Sequence, residues 1–315
     1  MSKKQTRTNA NDIFKIDEED KKCAPSKKYY EGTCFTVESL TKIANAYNKY
    51  VKNNPEKIIN ITPIRKELLK QINDRIPTCN GDQICWLDVE WIKQIKDPEI
   101  HNNTFRPKGP QGRFKWLSTT NINEIIAQYE SKYKDFHFLG AVPYDFEDLD
   151  QLQIGNIMYD HLFEAGFKKL GMVINLDEHW KKGSHWVALF INLETPQIYF
   201  FDSYGTRPRK RIAEFVKKTA FWFYKKYKLN GNSNESNSDS DLDQNFMTKT
   251  KNKYEKLFDI RYNTIRHQYK NSECGVYSVN FILRLLNGKT FDNICKNITS
   301  DDEINELRKE YFRFK

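Results

Sequence analysis

One thiol in this chain stands where it could react. In RHQYKNSECGVYSVNFILRLLNG (266–288) Cys274 heads an apolar run and Gly275 follows it. Val276, Val279, Leu283 and Leu286 recur at helical spacing, which predicts a helix from Cys274 to about Leu286 with one apolar face. At a helix start the unpaired amides and the macrodipole favour an anion, and thiols in such settings titrate at roughly 3.5–7.5 rather than near 8.5. A plain core cysteine would leave the same local pattern.

A nucleophilic thiol needs an imidazole and a group to orient it. His185, followed directly by Trp186, opens the run HWVALFINL (185–193), and Asp202 closes QIYFFDSY (197–204). If both runs are strands of one sheet, their polar ends lie side by side. Asp202 can then accept from one nitrogen of His185 and leave the other for Cys274. Gln268, six residues before the cysteine, can donate its amide to an oxyanion while the backbone N–H of Cys274 supplies a second donor. Alone, each residue also reads as a surface histidine, a turn-capping aspartate or a loop glutamine. Together they give the order His, Asp, Gln, Cys, the first pair 17 positions apart and the last pair six.

The elements that must position them follow from pattern. Residues 1–28, with KIDEEDKK inside, read as a flexible tail. Residues 29–112 read as a helical arm built from TVESLTKIANAYNKYV, TPIRKELLKQIND and DQICWLDVEWIKQI, with Thr62 as N-cap and Pro63 in the first turn of the second helix. Trp86 and Trp91 fit its core. The link FRPKGPQGRF (105–114) leads into a catalytic domain, 113–315. There NINEIIAQYESKY, IGNIMYDHLFEAGF and RPRKRIAEFVKKTAFWFYKKY predict helices, while 169–176, 185–193, 197–204 and 259–266 predict strands. NGNSNESNSDSDLDQN (230–245) reads as a disordered insertion, and Ser300 with Glu303 as the capping box of a last helix. The fold class is α/β (α+β), a central mixed sheet flanked by helices, with the N-terminal arm.

Composition narrows the function. A net charge of +9 without an arginine-rich block or an aromatic-basic repeat allows non-specific contact with nucleic acid and no more. No apolar run approaches the ~18 residues that span a bilayer, and the N-terminus lacks a signal's apolar core. The chain is therefore expected to be intracellular, with its six cysteines as reduced thiols. Cys79 and Cys85 lack zinc-knuckle spacing, and Glu178, His179 and His185 lack that of a zinc protease helix. No metal and no cofactor is expected.

HW at 185–186, FDS around Asp202, Gln268 and ECGVY around Cys274 resemble the cysteine proteases that include the SUMO-specific proteases and the adenovirus protease. FKWLSTTNINEIIAQY (114–129) is similar to that family's entry motif, and the resemblance spans about 113–290. It implies Cys274 as nucleophile, His185 as base, Asp202 as orienting acid, Gln268 as oxyanion donor, and Trp186 as the roof of a narrow substrate channel. A cysteine-bearing helical arm before such a domain resembles polyprotein-processing proteases of large DNA viruses, such as that of African swine fever virus. The implied activity is cleavage after glycine, in Gly-Gly or Gly-small pairs, of viral structural polyprotein during virion maturation, in the host cytoplasm and inside the virion. Removal of a ubiquitin-like modifier is the alternative. An acetyltransferase on the same scaffold is a second, though no basic acetyl-CoA loop is evident. The partners expected are protein substrates; oligomeric state is open.

Overall fold

Several strands of this chain read as nearly unbroken apolar runs because both faces of their sheet are covered. In the computed structural model, which describes residues 22–52, 54–112, 114–229 and 258–313, β1 (Phe136–Val142), β2 (Lys169–Asn175), β3 (Trp186–Asn192), β4 (Gln197–Phe201) and β5 (Asp259–Tyr262) form one sheet in sequential order. β1 runs parallel to β2 and β5 parallel to β4, while β2, β3 and β4 are antiparallel, so the sheet is mixed. The insertion 230–245 and tail residues 1–21 lie outside the described residues.

Alternation assigns the two faces. Leu170, Met172 and Ile174, with Val187, Leu189, Ile191, Ile198 and Phe200, share one core with Ile212, Phe215 and Phe223 of α8 (Lys210–Leu229). The opposite parity faces α9 (Cys274–Leu286), where Phe201 stacks on Phe281 with centroids 4.8 Å apart. Gly171 lies on this face too, where an added Cβ would sit 3.3 Å from Ile282 and closer still to Phe136. α9 is buried along its whole length except Leu285. The apolar positions expected of it, Val276, Val279, Leu283 and Leu286, are all buried, and the rest of the helix is covered as well. Its bounds are those the periodicity predicts.

The same unit holds α6 residues up to 126, α7 (Tyr159–Glu164), α10 (Phe291–Lys296) and α11 (Asp301–Glu306), the last with its Ser300–Glu303 capping box. α6 itself is Thr119–Lys132. The helix expected over 154–167 shrinks to α7, because Gln153 is left-handed and a side chain on Gly155 would run into the Glu147 carbonyl. β1 carries no strong strand signature. It is half-exposed at an edge, holds Gly140 at φ 111°, and shifts register between Phe138 and Ala141.

The other unit comprises, among described residues, 22–109, 127–132 and 308–313. It contains α1 (Val37–Tyr50), α2 (Arg65–Arg75), α3 (Gln83–Trp86), α4 (Glu90–Lys93), α5 (Pro98–His101) and α12 (Arg308–Tyr311). Trp86 and Trp91 are both in its core, Trp86 stacked on Phe35. The helix expected over 82–95 breaks into α3 and α4 around Leu87–Val89. Thr62 does not cap α2: its hydroxyl accepts from the Ile64 N–H, and the helix starts one residue later. Residues 22–28, assigned to a loose tail by composition, are tied down, with Cys23 bridged to Phe105 and the Ala24 N–H donating to the Thr104 carbonyl.

Four of the six cysteines are not reduced thiols. Cys23 pairs with Cys34 and Cys79 with Cys85, leaving Cys274 and Cys295 free. The turn at Tyr30–Thr33 brings the first two Cα atoms to 5.4 Å; left-handed Asn80 and Gly81 bring the second two to 5.6 Å. Spacing alone conceals such pairs, because the approach is made by turn geometry. Each cross-link closes a loop worth about 2–3 kcal/mol in the chain-entropy account. Cys23→Ser/Cys34→Ser should therefore lower the unfolding temperature of this unit by several degrees, with no such drop if the pair does not form. Calorimetry without reductant reads this.

Candidate active site

The start of β3, the end of β4 and the start of α9 converge on one cluster. The Nε2–H of His185 donates to Oδ1 of Asp202 at 2.7 Å, and both side chains are nearly buried. The thiol of Cys274, which is 2% exposed and begins α9, lies close enough to the ring to favour its charged form. With Nε2 on the carboxylate, Nδ1 is the nitrogen left for sulfur. Burial works against a charged ring. The bond to Asp202, the nearby Cys274 and their negative charge outweigh it and push the His185 pKa up to about 9. Asp202 is held below the usual carboxylate range: burial opposes this, and the His185 ring prevails.

Asp202 is fixed from all sides by residues that no local pattern advertises. Oδ1 accepts the Tyr204 N–H, and Oδ2 accepts the Thr206 hydroxyl. Asn263, buried just past β5, accepts the Asp202 N–H at 2.8 Å and donates to its carbonyl at 2.7 Å. Tyr204 stacks on the His185 ring at 4.5 Å with an interplanar angle of 7°, and the Arg266 guanidinium lies over the Tyr204 ring. Asn263, Tyr204 and Thr206 are the positioning residues that sequence reasoning missed. Turn-forming residues after a strand are too common to stand out.

Gln268 is fully buried at the same corner. The backbone N–H groups of His267 and Gln268 both donate to the Ser203 carbonyl, and the Ser203 hydroxyl donates to Oε1 of Gln268. Its Nε2 donates one hydrogen to the Lys270 carbonyl at 2.6 Å, which leaves the other. The loop onward to Cys274 is pinned by Asp301, whose Oδ2 accepts the N–H groups of Tyr269 and Lys270. At the N-cap of α9 the Glu273 side chain makes no capping bond and instead accepts from the Ser272 hydroxyl and the Asn305 amide.

Trp186 is 6% exposed, and its indole N–H donates to the Leu117 carbonyl at 3.0 Å. Gly275 packs beneath: a Cβ there would stand 3.1 Å from Leu117 Cβ and 3.3 Å from Trp186 Cδ1. The glycine after the thiol is thus a matter of close approach. Beside Trp186 opens a groove of about 440 Å³ between Trp116–Thr119 and the β2–β3 connection. Among the described residues no group of three or more His, Cys, Asp or Glu is placed to hold a metal. No described helix is long and apolar enough to cross a membrane.

A buried thiol near an imidazole that a buried carboxylate holds, set between a mixed sheet and a helix start, is an arrangement that suits a cysteine protease. A model of the Ulp1 protease family, C-terminal catalytic domain, matches residues 170–313. A protein of Acanthamoeba polyphaga mimivirus named "Putative thiol protease" is 38% identical over 310 residues, 92% of this chain and 93% of that one. The SUMO-1 cysteine protease of African swine fever virus is 23% identical over 223 residues, 66% of this chain and 72% of its own. The crystal structure of the African swine fever virus protease superposes with a TM-score of 0.57 over 96% of this chain and 98% of that one, at 17% identity. The chain belongs to the Ulp1 protease family, and its relatives named here are proteins of large DNA viruses.

Proposed function

We propose that this protease cuts protein substrates after glycine, in Gly-Gly or Gly-small pairs of viral structural polyprotein during virion maturation, in the host cytoplasm and within the virion. The Cys274 thiolate attacks the scissile carbonyl. The oxyanion is met by the Cys274 N–H and the Gln268 amide, and the imidazolium of His185 gives its proton to the leaving amine as the C–N bond breaks. Water then gives a proton to His185 and its oxygen to the thioester, which releases the carboxylate and restores the thiolate. Asp202 keeps the ring in register throughout.

The observation that carries the glycine reading is Trp186. It is immobilised by its bond to Leu117 and packed on Gly275, one residue from the nucleophile. An indole so placed leaves little height above the substrate backbone, which glycine tolerates and a larger side chain does not. A peptide library varied at the two positions before the cut should give cleavage after glycine only, and Trp186→Ala should lower the rate while admitting larger residues. Efficient cleavage after Leu, Phe or Lys by the native enzyme would remove the channel from the account. The name of the African swine fever virus relative favours a second reading, release of a ubiquitin-like modifier. Cleavage of folded modifier conjugates, with glycine-containing precursors left intact, would select it.

A further inference from the structure

The groove beside Trp186 is lined by a histidine, paired with a buried aspartate, that the chemistry above does not use. His179 lines it on the β2–β3 connection, with its side chain half-exposed. The Nδ1–H of His179 donates to Oδ2 of Asp145 at 2.6 Å, and the His179 backbone N–H donates to Oδ1 at 2.8 Å. Asp145 is 2% exposed. Burial disfavours its charge, yet the bonds from His179 outweigh this and hold the carboxyl below its usual range. An ionised carboxylate that accepts from both the ring and the backbone of one residue fixes that ring's orientation. Nε2, on the ring's other flank, is turned away from Asp145 and is the atom left to bond a ligand.

The connection that carries His179 is itself rigid. Asn175 accepts the N–H groups of Asp177 and Ser184 across it, and Gly183 turns there at φ 84°, where a Cβ would lie 2.6 Å from the Asn175 amide. Trp180 packs edge-on against the His179 ring at 4.8 Å. Glu178, next to it in the groove, is taken by Lys181 at 2.6 Å. The oriented imidazole shares the lining of the groove with Asp177, Lys182, Trp116 and Trp186, the last the neighbour of His185.

We propose that His179, held by Asp145, is a specificity-determining residue that hydrogen-bonds the substrate's extended backbone upstream of the residues under Trp186. This rests on Trp186 roofing the positions just before the cut. The groove that continues from the roof then takes the peptide N-terminal to them. The contact is made to main chain, so it rewards substrate length rather than a side-chain motif.

The test compares two glycine peptides on the full chain, one with only the Gly-Gly pair before the cut and one with several further upstream residues. The native enzyme should cleave the longer with higher kcat/KM. In His179→Ala that gain from extension should shrink about tenfold, mostly through KM, as for a lost hydrogen bond to substrate. His179→Gln, which keeps a hydrogen-bonding end, should recover part of it. A gain from extension that is equal in native enzyme and His179→Ala overturns the proposal, even if both cut after glycine. Failure of the native enzyme to cut either peptide instead sinks the glycine reading beneath it.

Discussion

His185→Ala is expected to lower kcat/KM for a glycine peptide by roughly 10⁴-fold, as does Cys274→Ala, because each removes a member of a unit that acts together. Loss of the ring removes both the partner of the thiol and the proton for the leaving amine. Asp202→Asn should keep measurable turnover, since an imidazole beside a thiol can work without a third member. The pH profile separates these roles. The ring holds its proton to about 9 in the folded enzyme, so the alkaline limb of kcat/KM should fall near that pH. In Asp202→Asn the limb should move to lower pH, for a charge and a strong acceptor are gone. The same shift bears on stability. A folded pKa raised from 6.5 to about 9 gives stabilisation that is complete below 6.5 and lost as pH rises through 9. A native alkaline limb at the unperturbed 6.5 would break the assignment of His185 to this chemistry.

Gln268→Ala should reduce kcat by about 10²–10³ with KM little changed, the pattern for a donor that acts on the oxyanion and not on the ground state. Gln268 also accepts from the Ser203 hydroxyl, so the variant could lose activity through a displaced strand corner. Thermal unfolding distinguishes the two: a catalytic role leaves the transition near its native temperature while the rate falls. Full activity in Gln268→Ala would mean that the backbone amides at the start of α9 suffice. It would also reduce Gln268 to a tether between the Ser203 corner and the loop that carries the nucleophile.

Much of the site was legible because its signals are local. The helix from Cys274 announces itself by apolar spacing, and the polar residues that end apolar strands mark His185 and Asp202. Their order and context carry the resemblance to a protease family, and it is that resemblance which implies their roles. The role proposed for Trp186 comes from the family resemblance and not from its position beside His185.

What the tertiary structure alone decided are the properties that depend on residues far apart in sequence. Asn263 orients Asp202 across 61 positions, and Tyr204 matters because its ring meets His185. His179 and Asp145 meet across 34 positions, and neither carries a motif. The two cystines follow from turns that bring Cα atoms within bonding reach, and cysteine spacing contains no record of that approach. β1 escaped notice because a half-buried edge strand with a central glycine lacks the apolar run that marks the buried strands. Sequence by itself determined which groups are candidates to react, because reactivity belongs to residue type. Only folding decided how they are aimed and braced, because hydrogen bonds and packing depend on distance in space and not along the chain.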